Sequence, residues 1–357
     1  MKIAPEYKVI GVMSGTSLDG VDLAYCTFRQ SSSGWEFTLE AADTFDYSEG
    51  WRNKLSEAVR LNAEDFQLLD VELGSHIGQL VYNFIKEKNL TVDFICSHGH
   101  TVFHQPEKKF TTQIGSGYEI FKATQIPVYG QFRNADVALG GQGAPLVPIG
   151  DAHLFSEYAA CINLGGISNI SYQNNEDRLA FDIGPCNIIL NTLAQKLGYA
   201  YDPQGELARE GELDLNLLHK FNDLFHQRSS SLSSLGFEWI SANYFPLFKN
   251  RSDIKTLLQT STQHISNTIA WALNQHPIQG EVLMTGGGVH NDFLLSLIKM
   301  KTNGIWRIKK PDNDIINYKE AIIFGFLGVL KNAEQVNCLA SVTGALRDSS
   351  GGILYKF

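Results

Sequence analysis

Positive charge is scarce in this sequence. Of 357 residues, 29 are Lys or Arg against 38 Asp or Glu, a net charge of −9, and no basic run exceeds two residues. Nucleic-acid and anionic-membrane surfaces need clustered Lys and Arg, so neither partner is expected. Long apolar runs are missing too. No segment approaches the roughly 18 unbroken apolar residues of a membrane span, and residues 1–8 hold no apolar core of signal-peptide length. Cysteine is sparse: Cys26, Cys96, Cys161, Cys186 and Cys338 are scattered without a CxxC pair. That spacing suits reduced, buried thiols and argues against a disulfide framework. These absences predict a cytoplasmic protein.

What is present is glycine, and it falls in turns. The opening stretch Val9-Ile10-Gly11-Val12-Met13-Ser14-Gly15-Thr16-Ser17-Leu18-Asp19-Gly20-Val21-Asp22-Leu23-Ala24 flanks a Gly/Ser/Thr/Asp turn with β-prone apolar residues. It reads as a β-hairpin, either an ordinary tight one or one whose successive N–H groups make an anion-binding concavity. No Lys lies in the turn, so it is not a Walker-A loop.

The chain is long for one core and is expected to form two domains. A third strand over 34–44 follows the hairpin. Phe66, Leu69, Leu73, Ile77, Leu80 and Phe84 then recur at helical spacing, predicting a helix over 63–88. Short strands are expected at 92–96, ending in Ser97-His98-Gly99-His100-Thr101, and at 126–129. Gly140-Gly141-Gln142-Gly143-Ala144-Pro145 is the strongest hinge signal, so the boundary is set there. The second half repeats the grammar: a strand over 159–163, a turn at Gly165-Gly166, a return strand over 170–172 and a third over 179–183. This suggests a duplicated fold with a nucleotide between the copies. Helices are expected at 214–226, 253–274, 291–299 and 318–331, and Gly286-Gly287-Gly288 follows a strand at 281–284.

Several residues could carry chemistry. Asp182, at a strand end, is a general-base candidate or a helix cap. Arg133 suits a carboxylate or phosphate, or a surface ion pair. His98 and His100 would share one face of an extended strand end, and with His104 they could hold a metal, though no acid or cysteine completes a zinc spacing. Glu320 is a polar candidate, or simply an acid in a helix's first turn.

The opening pattern GxMSGTSxDGxD resembles the first phosphate-binding hairpin of the anhydro-N-acetylmuramic acid kinases, a branch of the actin/hexokinase-like ATPases. Further similar segments recur across almost the whole chain. The resemblance implies an α/β protein of two ribonuclease-H-like domains with a nucleotide cleft between them, residues 1–140 and 141–334, the tail 335–357 returning to the first. It implies ATP held by Ser14, Gly15, Thr16, Ser17, Leu18, Asp19, Gly20, Val21 and Asp22, by Gly165 and Gly166, and on the adenosine side by Gly286, Gly287 and Gly288. Mg²⁺ would come with the nucleotide, touched through water by Asp19 or Asp22. Phe181-Asp182-Ile183-Gly184-Pro185 resembles the segment carrying the family's catalytic base, with Ile183 and Cys186 where Thr and Gly are usual. His98, Arg133 and Glu320 match segments near the sugar, although Gln131 replaces an Asp and His100 stands where Gln is more usual. The clearest departure is Ser233-Ser234-Leu235-Gly236-Phe237-Glu238-Trp239, which lacks the basic residues common there.

The activity implied is ATP-dependent hydrolytic opening and 6-phosphorylation of 1,6-anhydro-N-acetylmuramic acid in peptidoglycan recycling. Its small-molecule partner is that sugar. An ordinary sugar kinase and an actin-like ATPase scaffold are the alternatives. The assembly state is open, a homodimer included.

Overall fold

Four successive buried residues, Val9, Ile10, Gly11 and Val12, mark β1 (Glu6–Ser14) as a strand covered on both faces, the pattern of an interior strand in an α/β layer. The computed structural model describes residues 6–15, 17–229, 235–275, 280–302 and 304–357. It divides into unit 1, Met1–Leu154 with Tyr318–Phe357, and unit 2, Phe155–Asn317.

In unit 1, β1 pairs antiparallel with β2 (Gly20–Ser31), which pairs antiparallel with β3 (Gly34–Asp46). On its other side β1 runs parallel to β4 (Phe94–Gln105). Beyond the short hairpin strand β5 (Phe110–Ile114), β4 also runs parallel to β6 (Val128–Gly130), and the C-terminal strand Ile353–Tyr355 closes that edge. The helix Ala63–Lys88 lies where its period predicts. Asn62 caps it by accepting the Asp65 N–H, and Leu69, Leu73, Ile77 and Phe84 are buried against Ile10, Leu23 and Ile95. From 318 onward the helix Asn313–Asn332 packs so tightly on the sheet that a Cβ on Gly11 would stand 1.8 Å from the Ala321 carbonyl oxygen.

Unit 2 repeats the order. β7 (Ala160–Leu164), β8 (Ile167–Asn174) and β9 (Asp177–Pro185) form an antiparallel meander. β10 (Glu281–Thr285) and β11 (Arg307–Lys309) add in parallel beyond β7. The sequence β9-β8-β7-β10-β11 thus matches β3-β2-β1-β4-β6 of unit 1 in order and in strand sense. This is the duplicated ribonuclease-H-like α/β architecture of actin/hexokinase-type proteins.

Two local expectations change. The glycine-rich segment at 140–144 belongs to unit 1, and unit 1 regains the chain at 318 rather than 335. The reason is specific bonding: Gly141 N–H and Gly143 N–H bind Asp136, and Gln142 N–H binds the Thr343 carbonyl. The strand ending at Cys96 instead continues to Gln105, because β5 gives its extension a partner.

Candidate active site

Unit 1 supplies the hairpin between β1 and β2. Ser14, the last residue of β1, is fully buried, and its Oγ lies 2.8 Å from the Tyr47 hydroxyl and 3.3 Å from His100 Nδ1. Burial pushes His100 down to about 4 and the Tyr47 phenol up to about 12. Both therefore stay neutral near pH 7, and the Ser14 hydroxyl is spent inside the fold. The turn can still offer a ligand its backbone N–H groups and the exposed Ser17 hydroxyl. Leu18 N–H closes it on the Gly15 carbonyl at 3.3 Å, with Leu18 at φ 60°. Leu18 packs on the unit 1 core, anchoring a turn whose exposed members are Ser17 and Asp19. Thr16 lies outside the described residues. Gly20 answers to packing, since a Cβ there would meet the Phe45 carbonyl oxygen at 2.4 Å, and the Val21 side chain is core. Asp22 accepts from Thr44 Oγ1 at 2.7 Å, and burial followed by the nearby Asp19 carboxylate raises its proton affinity. A cation beside these two acids would relieve that repulsion, so the pair fits water-mediated Mg²⁺.

The histidine segment resolves into three separate roles. A bulge in the β1–β4 register between Ser97 and His100, with Gly99 at φ 71°, breaks the strand alternation. His98 and His100 consequently do not act as a same-face pair. His98 binds Arg133, His100 binds Ser14, and His104 Nδ1 binds Thr111 Oγ1 at 3.1 Å. Among the described residues no group of three or more His/Cys/Asp/Glu side chains is arranged to hold a metal ion directly.

His98 is buried, and burial with the Arg133 charge pushes it down to about 3. Its neutral ring donates from Nδ1 to the Gly99 carbonyl at 2.8 Å. At Nε2 it accepts from Arg133 Nε at 3.2 Å and Nη2 at 2.8 Å. Both ring nitrogens are thus spoken for, and His98 acts on Arg133 rather than through a free nitrogen on a sugar. Arg133 Nη1 donates to the Gly143 carbonyl at 2.7 Å, and its guanidinium lies 6.0 Å from the Phe324 ring centre. A guanidinium has five N–H groups. These contacts use three, leaving one on each Nη nitrogen without a partner among the described residues. Such a fork matches a carboxylate. Gln131, at φ 57°, is held by Gln113 and Asn134, so the departure there is structural. Glu320 is exposed and acts electrostatically on Arg133. It stands two turns inside a helix that begins at Asn313, so its expected place in a first turn does not hold. Beside it, Lys319 forms a buried ion pair with Asp151 at 2.7 Å.

Unit 2 supplies Asp182 on β9, opposite Asn169 of β8, next to a register shift at Ser168. Ser168 Oγ donates to the Gly184 carbonyl at 3.0 Å, pinning that shift. Asp182 is half-buried, and its Oδ2 accepts the Leu235 N–H at 2.7 Å. Arg228 reaches the Asp182 and Ile183 carbonyls at 3.3–3.4 Å and lies 6.0 Å from the Trp239 ring centre. A cation therefore stands beside Asp182 although the 233–239 segment carries none; Ser233 and Ser234 lie outside the described residues. Ile183 and Cys186 are both core residues, so these departures are accommodated by packing.

The unit 2 glycines divide similarly. Gly286, at φ 82°, has Asn163 Oδ1 at 2.3 Å from where a Cβ would be, so it is required by packing. Gly287 meets nothing nearer than 3.8 Å. With Asn187, Tyr201, Gln204, His290 and Lys310 it lines a cavity of about 670 Å³. Gly165 and Gly166 receive the N–H groups of Asn187 and Cys186 through their carbonyls, which fixes the start of the helix Asn187–Gln195.

Tyr47, Asp136, Arg228 and Leu235 had not been singled out from sequence. Asp136 lies in the Arg133 segment and Leu235 in the 233–239 segment, each a stretch that the sequence marks; Tyr47 and Arg228 have no local pattern.

Residues 7–356 match the family model described as anhydro-N-acetylmuramic acid kinase. Proteins of that name include one from Crocosphaera subtropica, 33% identical over 94% of this chain and 95% of its own length. Another, from Bacillus thuringiensis subsp. konkukian, is 31% identical over 94% and 96%. One from Microcystis aeruginosa is 30% identical over 98% and 100%. With the match running from the β1 hairpin through the Arg133 and Asp182 segments to the last strand, this chain belongs to the anhydro-N-acetylmuramic acid kinase family.

Proposed function

We propose that the chain opens 1,6-anhydro-N-acetylmuramic acid by hydrolysis and phosphorylates O6 with ATP, giving N-acetylmuramic acid 6-phosphate and ADP in peptidoglycan recycling. The observation that carries this reading is Arg133, a guanidinium held on two sides with one N–H on each Nη nitrogen left without a partner among the described residues. The lactyl carboxylate is the group that distinguishes this sugar, and it matches that fork. An actin-like scaffold would have no use for such a fork.

Asp182 is the general base. The Leu235 N–H on Oδ2 fixes the rotation of its carboxylate. It removes a proton from water as the water oxygen bonds to C1. The C1–O6 bond breaks, O6 bonds to the γ-phosphorus, and the bond from that phosphorus to the bridging oxygen of ADP breaks. The proton rests on Asp182, and no separate acid is needed because phosphoryl transfer traps the leaving oxygen. In unit 1 the backbone of residues 14–20 is the phosphate-binding element, and in unit 2 the cavity beside Gly287 is the nucleoside site. Asp19 and Asp22 would hold Mg²⁺ through water, which when bound offsets phosphate charge. These roles suit a protein in the cytoplasm.

Running the reaction in isotopically enriched water, with early quenching, tests the proposal. Label should enter the sugar at C1 and not the phosphate. An ordinary kinase would leave the sugar unlabelled, and label confined to inorganic phosphate would indicate a bare ATPase.

A further inference from the structure

Asp136 is a buried carboxylate that the mechanism above does not use. It is 1% exposed, in the short helix Asn134–Ala138 of unit 1. Its Oδ1 accepts from Thr343 Oγ1 at 2.6 Å and from Cys338 Sγ at 3.2 Å. Its Oδ2 accepts the Gly143 N–H at 2.7 Å, and its backbone carbonyl accepts the Gly141 N–H at 2.9 Å. One side chain therefore ties a C-terminal segment to the glycine-rich loop that follows Arg133.

The consequence runs through Gly143. Its N–H is held by Asp136 and its carbonyl accepts Arg133 Nη1 at 2.7 Å, while φ 68° sets the angle between them. Gly141 leaves no slack, because a Cβ there would lie 2.2 Å from Asp136 Oδ2. On its other side the guanidinium is fixed by His98. Arg133 is thus oriented by two supports; the Gly143 support is held directly by Asp136 through the Gly143 N–H, with the adjacent Gln142 N–H on the Thr343 carbonyl. The chemistry of the anchor matters as well. A carboxylate offers acceptors to all three donors, whereas an amide would turn an N–H toward Gly143 or toward Thr343 and Cys338.

We propose that Asp136 is a positioning residue for Arg133: by gripping Gly143 and the 338–343 segment together, it fixes the plane of the guanidinium and hence the capture of a carboxylate-bearing sugar. This rests on the reading that Arg133 meets the lactyl carboxylate. Loss of one support should misalign a bidentate contact, a change of about tenfold in affinity.

The test is steady-state kinetics on the full chain, with Asp136→Asn, Arg133→Met and the double variant compared with wild type. Asp136→Asn should raise the KM for 1,6-anhydro-N-acetylmuramic acid about tenfold, leave kcat within about twofold and leave the KM for ATP unchanged. On the Arg133→Met background it should add almost nothing, because residues acting as one unit are not additive. Thr343→Val, which removes one donor from Oδ1, should shift KM the same way by a few-fold, and it carries the test if Asp136→Asn does not fold. An unchanged KM, a loss confined to kcat, or full additivity with Arg133→Met would overturn the proposal while leaving Arg133 in place. If Arg133→Met itself leaves the sugar KM unchanged, the Arg133 reading falls and this proposal with it.

Discussion

Replacing His100 with Gln should remove a pH dependence that the wild-type fold carries. His100 is 3% exposed and its one cause of shift is burial, which takes it to about 4. An unfolded His titrates near 6.5. Above about pH 6.5 both states are neutral and His100 contributes no slope. As pH falls below that, the unfolded chain takes up a proton that the folded chain refuses, so stability drops by about 1.4 kcal/mol per pH unit. The loss continues to about pH 4, where the folded ring also protonates, and totals about 3 kcal/mol. Gln has no titration and can still accept from the Ser14 hydroxyl. Urea denaturation of both proteins at intervals from pH 7.5 to 4.5 measures the effect. Their stability difference should be constant above pH 6.5 and should move in favour of His100→Gln by about 2 kcal/mol by pH 5. A difference that stays flat across the range would refute the claim that the fold holds this ring neutral.

Asp182→Asn should lower sugar-dependent ATP consumption by roughly 10²–10⁴-fold while ATP still binds, and near-wild-type turnover would remove Asp182 from the mechanism. The glycine turn after β10 should separate into a packing position and a ligand position. Gly286→Ala meets Asn163 Oδ1 at 2.3 Å and should cost about 1–3 kcal/mol of stability. Gly287→Ala, with its nearest neighbour at 3.8 Å, should melt like wild type but bind ATP more weakly by calorimetric titration. Equal melting losses in the two variants would refute that division.

The sequence by itself determined the elements whose signal is local. The helix at 63–88 follows from its apolar period, and the two strand–glycine–strand openings follow from β-prone runs around Gly turns. Because both units begin with that grammar, the duplicated architecture was legible, and the long motif resemblance named the family. Other short elements were not legible: β5 and the C-terminal strand are five residues or fewer, and each exists because a neighbour pairs with it, whereas β6 falls where the strand at 126–129 was expected.

At the site, residue identity was readable and residue role was not. Ser14 looks like a ligand hydroxyl but is bound to Tyr47 and His100; Gly20 looks like a phosphate glycine but admits the Phe45 carbonyl. The Gly99 bulge sends His98 to Arg133, a partner 35 residues away, and Asp136 reaches Thr343 across 207. Such partnerships form when distant strands and termini are brought to one place. A one-dimensional pattern records spacing along the chain, whereas hydrogen bonding and burial depend on distance in space, so only the tertiary structure could decide which polar residues face a substrate and which hold them there.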